Sequence, residues 1–363
     1  MQTAGIKKSS NKMLEIDILI ISKNIKNYIG DCIKSCVAHE GNIKKNIYVI
    51  DDGSSDGTKE LILSILENFE NDIVFLETKS IGAARVRNLF LDNYAKSEFV
   101  TFIDGDDFIS SKNLENILHT MRMMNVDFSC PRVLSFDEQL NSVMTHDSHN
   151  LRQDICGERY FLCTNSKFEP RLLSLETSMC MRIFRLNFLN ENNIRFDTID
   201  FCEDIFPSRK CFIIAKSILL INSPYYYYRT GRSGQRTSLV SEKSIDFLIS
   251  LKKSVDFAKK YNVTNEQGGW MLYKLCLSSI WTRNLLPLHS MNSYIEEINK
   301  YFDEIPKEWW VVISKIPNLQ NNIYFLSQVY TSNYTLNTKL RCLLDQKLSV
   351  LDKIKQKIKI GVR

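Results

Sequence analysis

The sequence predicts an α/β protein: a mostly parallel sheet flanked by helices, followed by a mainly helical C-terminal region. Three observations predict it. Between Leu14 and Met124, four apolar runs of strand length alternate with four helical stretches, the order that produces a parallel sheet covered on both faces. Two of those runs end in clusters of aspartate. From Ser241 onward, apolar residues recur at helical spacing over long stretches.

The elements follow in order. "LEIDILIIS" (Leu14 to Ser22) is apolar and rich in β-branched residues, as a buried strand requires. "NYIGDCIKSCVAH" reads as a helix and "NIYVIDD" as the second strand. Thr58 opens the helix "TKELILSILENF", with Leu61, Ile62, Ile65 and Leu66 on one face. "DIVFLET" is the third strand and "GAARVRNLFLDNY" its helix; "EFVTFID" is the fourth strand and "KNLENILHTMRMM" the helix after it. Beyond Asn125 the pattern is less regular. The expected organisation is a flexible N-terminus at 1–13, an α/β domain at 14–240, a helical region at 241–338 and a basic amphipathic tail at 339–363.

Composition narrows the classes. The chain has 363 residues, 44% hydrophobic and 25% charged, ordinary for a globular protein. No apolar run approaches the ~20 residues that span a bilayer, and the N-terminus has no secretory signal pattern. Ten cysteines lack any CxxC pair and read as reduced, buried thiols in a cytoplasm. The five histidines, His39, His119, His146, His149 and His289, form no ligand set and read as surface residues. There is no GxGxxG after the first strand and no GxxxxGK[ST], which disfavours dinucleotide dehydrogenases and P-loop phosphotransferases.

The chemistry sits in the acidic turns. "VIDDGSSDGTKE" (Val49 to Glu60) fits a calcium loop at Asp52, Ser54, Asp56 and Gly57, but Leu63 stands where the closing glutamate belongs, and a strand precedes it. A plain turn and helix cap accounts for Ser54 to Thr58. It does not account for Asp51 and Asp52 just past the carboxyl end of a buried strand, the place where open α/β sheets bind ligands. "EFVTFIDGDDFIS" repeats this logic with Asp104, Gly105, Asp106 and Asp107. Carboxylates at Asp-x-Asp spacing suit Mg²⁺ or Mn²⁺, which share the rest of their shell with phosphate and water; the glycine is expected to keep the turn open to a bulky ligand.

Four ordered pieces, "VIDDGSSDGT", "GAARVRN", "FIDGDD" and "FCEDIFPSRK" (Phe201 to Lys210), resemble those of the family 2 glycosyltransferases, enzymes of the GT-A fold. The resemblance runs from about Glu15 to Ser238. "IFRLNFLNENNIRF" and "PYYYYRTGRSGQ" resemble flanks seen in bacterial members that build surface polysaccharides and lipooligosaccharides. It implies a nucleotide-sugar site of Ser22, Asn24, Asp52, Arg87, Asp104 and Asp106. Asp52 would accept a hydrogen bond from the base, Arg87 would lie near base or diphosphate, and Asp104 would face the ribose. Asp106 and Asp107 would hold Mn²⁺ or Mg²⁺, and Asp204 would be the catalytic base. Where the family has an aromatic-Asn pair, this chain has Lys23 and Asn24, so the base either goes without that stack or takes it from Tyr28.

Glycosyl transfer needs a cation on the leaving diphosphate and a base for the attacking hydroxyl. Asp204 suits the second task. On a helix, Glu203 beside it would point about 100° away; the plain alternative is a charged first turn favoured by the helix dipole. "YYYYRTGRSGQR" (Tyr225 to Arg236) offers aromatics for sugars, arginines for phosphate and glycines for a closing loop; an edge strand with an exposed loop is the bland reading. The expected activity is inverting, metal-dependent transfer of a hexosyl or N-acetylhexosaminyl group from a UDP-sugar. The acceptor would be an oligosaccharide or lipid-linked glycan, with no nucleic-acid partner. A nucleotidyltransferase and a non-catalytic sugar-nucleotide-binding protein are the alternatives.

Net charge is +5, yet Lys339 to Arg363 alone carry +6, so residues 1–338 sum to −1. Leu340, Leu343, Leu344, Leu348, Leu351, Ile354 and Ile358 lie at helical spacing among those basic residues. This suggests an amphipathic helix on an anionic membrane surface, hence peripheral attachment at the inner face of the cell membrane; the alternative is a solvated terminal helix packed on the body or on a second subunit.

Overall fold

The computed structural model describes residues 13–316 apart from 39–40, 70–72, 147–148, 233–234 and 236–239. The basic tail and all but the last residue of the N-terminal segment lie outside the described residues.

The predicted alternation is present. β1 (Leu14–Ser22), α1 (Ile29–Val37), β2 (Ile43–Asp51), α2 (Thr58–Leu66), β3 (Ile73–Glu77), α3 (Ala83–Asn93) and β4 (Phe99–Asp104) follow one another. A two-residue β5 (Phe108–Ile109), α4 (Ser111–Met123), β6 (Phe128–Asp137), β7 (Ser142–Thr145), α5 (His149–Cys156) and β8 (Phe161–Thr164) come next. After a 3₁₀ turn at Pro170–Ser174 come β9 (Ile183–Arg185), α6 (Leu186–Glu191), α7 (Ile205–Ile214) and β10 (Ile218–Thr230). The remainder is helical: α8 (Phe247–Lys260), α9 (Asn265–Asn284), α10 (Leu288–Asp303) and α11 (Lys307–Ser314).

Among the described residues the strands form one sheet in the order β3-β2-β1-β4-β9-β6-β10-β5, with β7 on β6 and β8 on β10. β1 is parallel to β2 on one side and to β4 on the other, so the strand order reverses at β1 and opens a crevice at the carboxyl ends. Register brings the acidic ends together: Ser22 lies opposite Asp51, and Ile21 opposite Asp104. Helices cover both faces, so Ile16, Ile18, Leu19 and Ile20 are all fully buried although they alternate in direction.

β10 corrects the edge-strand reading. It pairs with β6 along one side and with β8 and β5 along the other. Tyr225 and Tyr226 are therefore buried rather than presented to a sugar.

The helical region packs on the end of the α/β part. Phe257 of α8 meets Phe206 of α7 edge to face at 5.7 Å, and Ser250 Oγ donates to Cys202 O at 2.9 Å. α9 starts with a capping box between Thr264 and Gln267. A Cβ on Gly268 would lie 2.1 Å from Trp309, so the bare backbone there is what lets α11 approach α9. All nine described cysteines are free. No described helix is long and apolar enough to cross a membrane.

Candidate active site

The two aspartates ending β2 do different work. Asp51, fully buried, accepts from Ser22 Oγ (2.9 Å), Ser54 N (2.9 Å) and Ser54 Oγ (2.6 Å) and so shapes its own turn. Asp52 reaches across to the start of α3. Its Oδ1 accepts from Thr78 Oγ1 (2.6 Å) and Ile81 N (2.7 Å), and its Oδ2 from Gly82 N (2.9 Å). Lys23 Nζ lies 3.7 Å from the same Oδ2. Ser22 and Asn24 likewise hold the turn: Asn24 N donates to Ser54 Oγ, and Asn24 Oδ1 accepts from Ser55 N at 2.8 Å. The Tyr28 ring, expected to stack on a base, faces the guanidiniums of Arg229 (5.1 Å) and Arg232 (5.7 Å).

Arg87 lies in α3 and is buried. Its Nη2 donates to Asp104 Oδ1 at 2.6 Å and its Nη1 to Glu203 Oε1 at 2.8 Å. The Phe196 ring lies 5.1 Å from the guanidinium carbon. The residue expected at base or diphosphate is thus a buried tie between two motifs.

The Asp-x-Asp turn splits its carboxylates. Asp104 remains 35% exposed beyond its bond to Arg87. Asp106 forms a close ion pair with Arg232, just after β10. Asp107, 1% exposed, turns into the protein. Tyr226 Oη donates to its Oδ2 at 2.6 Å and Arg229 N to its Oδ1 at 2.7 Å. Burial, with Asp106 and Asp104 close by, pushes its carboxyl well above the usual range. Of the two carboxylates expected at a metal, Asp106 is paired with Arg232 and Asp107 is a strut whose oxygens are both engaged within the protein. Gly105 is also corrected. A Cβ there would lie 2.7 Å from Ile21 O and 2.6 Å from Ile25 Cδ1, so glycine is needed for packing against β1 rather than for ligand room.

Glu203 and Asp204 do not share a helix turn. α7 begins at Ile205 with Asp204 as its N-cap, after Cys202 in the left-handed region at φ 63°. That kink separates the two side chains. Glu203 goes to Arg87, whereas the Asp204 side chain makes no hydrogen bond among the described residues. Burial and the neighbouring Glu203 push the Asp204 carboxyl up to about 7.

Sequence reasoning missed the ties that link the motifs. Cys180 Sγ donates to Asp104 Oδ1 at 3.5 Å, and Arg229 Nε to Asp106 O at 2.8 Å. The arginines following the tyrosine run were the available signal. His146, expected at the surface, is also corrected: it is 9% exposed and packs edge to face with Tyr228 at 6.1 Å. Among the described residues no group of three or more His, Cys, Asp or Glu could hold a metal alone.

The Glycosyl transferase family 2 model matches residues 17–192. Those residues are a family 2 glycosyltransferase domain. Glycosyltransferase GlyA of Streptococcus pneumoniae is 23% identical over 65% of this chain and 33% of that protein. Poly(ribitol-phosphate) beta-N-acetylglucosaminyltransferase TarS of Staphylococcus aureus is 24% identical over 65% of this chain and 39% of that protein. The chain therefore spans about a third to two-fifths of the length of these relatives. The crystal structure of S. aureus TarS 1–349 in complex with UDP-GlcNAc is similar with a TM-score of 0.69 at 19% identity, covering 88% of this chain and 89% of that one. The glycosyltransferase domain has the GT-A fold, and the likeness extends into the helical region.

Proposed function

We propose that this glycosyltransferase moves a hexosyl or N-acetylhexosaminyl group from a UDP-sugar to a hydroxyl of a bacterial surface glycan, with inversion. The observation that carries this reading is Asp204. It is a carboxylate with no hydrogen-bond partner among the described residues, raised to about 7, beside a glutamate that is engaged by Arg87. A base must be free to take a proton and matched to the working pH, and Asp204 is both. The acceptor oxygen bonds to the anomeric carbon as its proton passes to Asp204, and the bond to the diphosphate breaks. One base and one displacement invert the centre.

The nucleotide would lie in the crevice at β1, β2 and β4. Asp52 keeps acceptor capacity on Oδ2 for a base N–H, next to the Lys23 ammonium. Asp104 has its second oxygen for a ribose hydroxyl. Asp106 offers a hard oxygen whose partner, Arg232, is a long side chain able to move. These residues fit Mn²⁺ or Mg²⁺ that takes most of its shell from diphosphate and water. When bound, such an ion neutralises the leaving diphosphate. Arg232, released from Asp106, would then pair with the same phosphates.

TarS, a poly(ribitol-phosphate) beta-N-acetylglucosaminyltransferase, supports an N-acetylhexosaminyl group and a bacterial polymer as acceptor. A nucleotidyltransferase would release pyrophosphate and a binding protein nothing. The deciding experiment incubates the protein with a panel of nucleotide-sugars and glycan acceptors, with and without Mn²⁺. Release of UDP without pyrophosphate, lost in Asp204→Asn, supports the proposal. Pyrophosphate, or no nucleotide from any donor, overturns it.

A further inference from the structure

Between β6, α5 and the segment leading into β9, a cavity of about 20 Å³ is lined by residues that include Cys130, Arg152, Leu175, Glu176 and Arg182. That is room for one water-sized group. Two of its walls are arginines, Arg152 at 5% exposure and Arg182 at 3%. Neither has a carboxylate within ion-pair distance among the described residues. Among the described residues Arg152 donates one hydrogen bond, Nη2 to Ile221 O at 3.1 Å, although a guanidinium carries five N–H donors. Arg182 is held by neutral acceptors only: Ser178 O at 2.8 Å, Ser208 Oγ at 2.9 Å, Thr177 O at 3.4 Å and a close contact to Glu176 O.

The one carboxylate in the wall is already spoken for. Glu176 Oε2 accepts from Lys274 Nζ at 3.4 Å, and Oε1 from Thr177 N at 2.7 Å and Thr177 Oγ1 at 3.2 Å. Burial works against its charge, yet Lys274, His146 and Arg182 hold its carboxyl well below the usual range. A third guanidinium, Arg132, adds its like charge to Arg152, and its buried Nε has no hydrogen-bond partner. The pocket therefore holds more buried positive charge than its own residues balance, and buried charges are normally paired.

We infer that this cavity binds a compact, halide-sized anion between Arg152 and Arg182. Such an ion would pair both guanidiniums, and through the bond from Arg182 to Ser208 it would steady the first turn of α7. Its lining residues are none of those assigned to the donor site, and the inference does not depend on the assigned reaction.

The test uses the whole chain in chloride-free gluconate buffer at constant ionic strength. Replacing gluconate by chloride should raise the melting temperature saturably, and Arg152→Gln should remove the saturable part. Because that variant can fail to fold, crystals of the unaltered protein soaked in bromide supply a second measurement: an anomalous peak is expected in the cavity between Arg152 and Arg182. Chloride acting no differently from gluconate, together with no bromide peak, overturns the inference. Inorganic phosphate stabilising as well as or better than chloride also overturns it, since an oxyanion needs more room than a halide.

Discussion

Arg87 joins Asp104 to Glu203 through a single guanidinium, 2.6 Å from one carboxylate and 2.8 Å from the other. One residue of α3 thereby locks the turn after β4 to the turn before α7, 116 residues apart from Glu203 in sequence. Arg87→Met would leave two carboxylates facing each other across a buried gap. Breaking a buried pair costs roughly 3–5 kcal/mol, and the lower end is expected because Asp104 is 35% exposed and can rehydrate. Urea unfolding measures this. Arg87→Lys should lose less stability but still misplace Glu203, because an ammonium lacks the planar fork.

Asp204→Asn should cut turnover by a hundredfold or more, in line with what a general base contributes, with donor affinity nearly unchanged. Glu203→Gln should do less to turnover and more to stability, since it weakens the tie to Arg87. Steady-state kinetics and melting curves on both variants separate the roles; reversed effects would transfer the base to Glu203.

The pH dependence follows from the same group. With the carboxyl at about 7, kcat/KM should climb about tenfold per pH unit below neutrality and level off above it. The folded value lies above the ~3.9 of an unstructured aspartate. Protonated Asp204 therefore favours the fold, and that contribution is lost as pH rises from about 4 through about 7. Asp204→Asn should accordingly melt higher than the unaltered protein at pH 8, and the gap should close toward pH 4.

Neighbouring aspartates should give opposite phenotypes. Asp106→Ala, like EDTA, is expected to abolish transfer while the protein stays folded. Asp107→Ala should lower stability by about 1–3 kcal/mol, because it strands the Arg229 N–H and Tyr226 hydroxyl. Full activity of Asp106→Ala in EDTA would remove the metal from the proposal.

Removing Lys339 to Arg363 should release the protein from anionic vesicles while leaving donor hydrolysis intact. Each basic residue near such a surface is worth ~1 kcal/mol, screened by salt. Equal partitioning of full-length and truncated protein would end the membrane assignment.

The α/β part was legible because strand and helix periodicity are local signals. "FVTFI" and "LEIDILIIS" could hardly be anything but buried strands, and the turns they feed were found with them. Partnerships were not legible. Nothing local says that Asp52 spends its acceptors on Ile81 and Gly82, or that Asp107 is a strut while Asp106 is not. Those distinctions arise from β10, which enters the sheet more than a hundred residues later and supplies Tyr226 and Arg229. Glu203 and Asp204 were misread as a shared helix turn because the left-handed backbone at Cys202 is unusual for a non-glycine residue.

The stacking of Phe201 on Trp281 at 5.4 Å, the bond from Ser250 to Cys202 and the ion pair of Lys253 with Asp197 all press the helical region onto the loop leading into Asp204. Anyone grafting the helices of a relative onto residues 14–240 to change acceptor preference would be replacing the clamp on Asp204, the proposed base, as well. Such chimeras should lose rate before they gain a new substrate, unless Ser250, Lys253 and Trp281 travel with the α/β half.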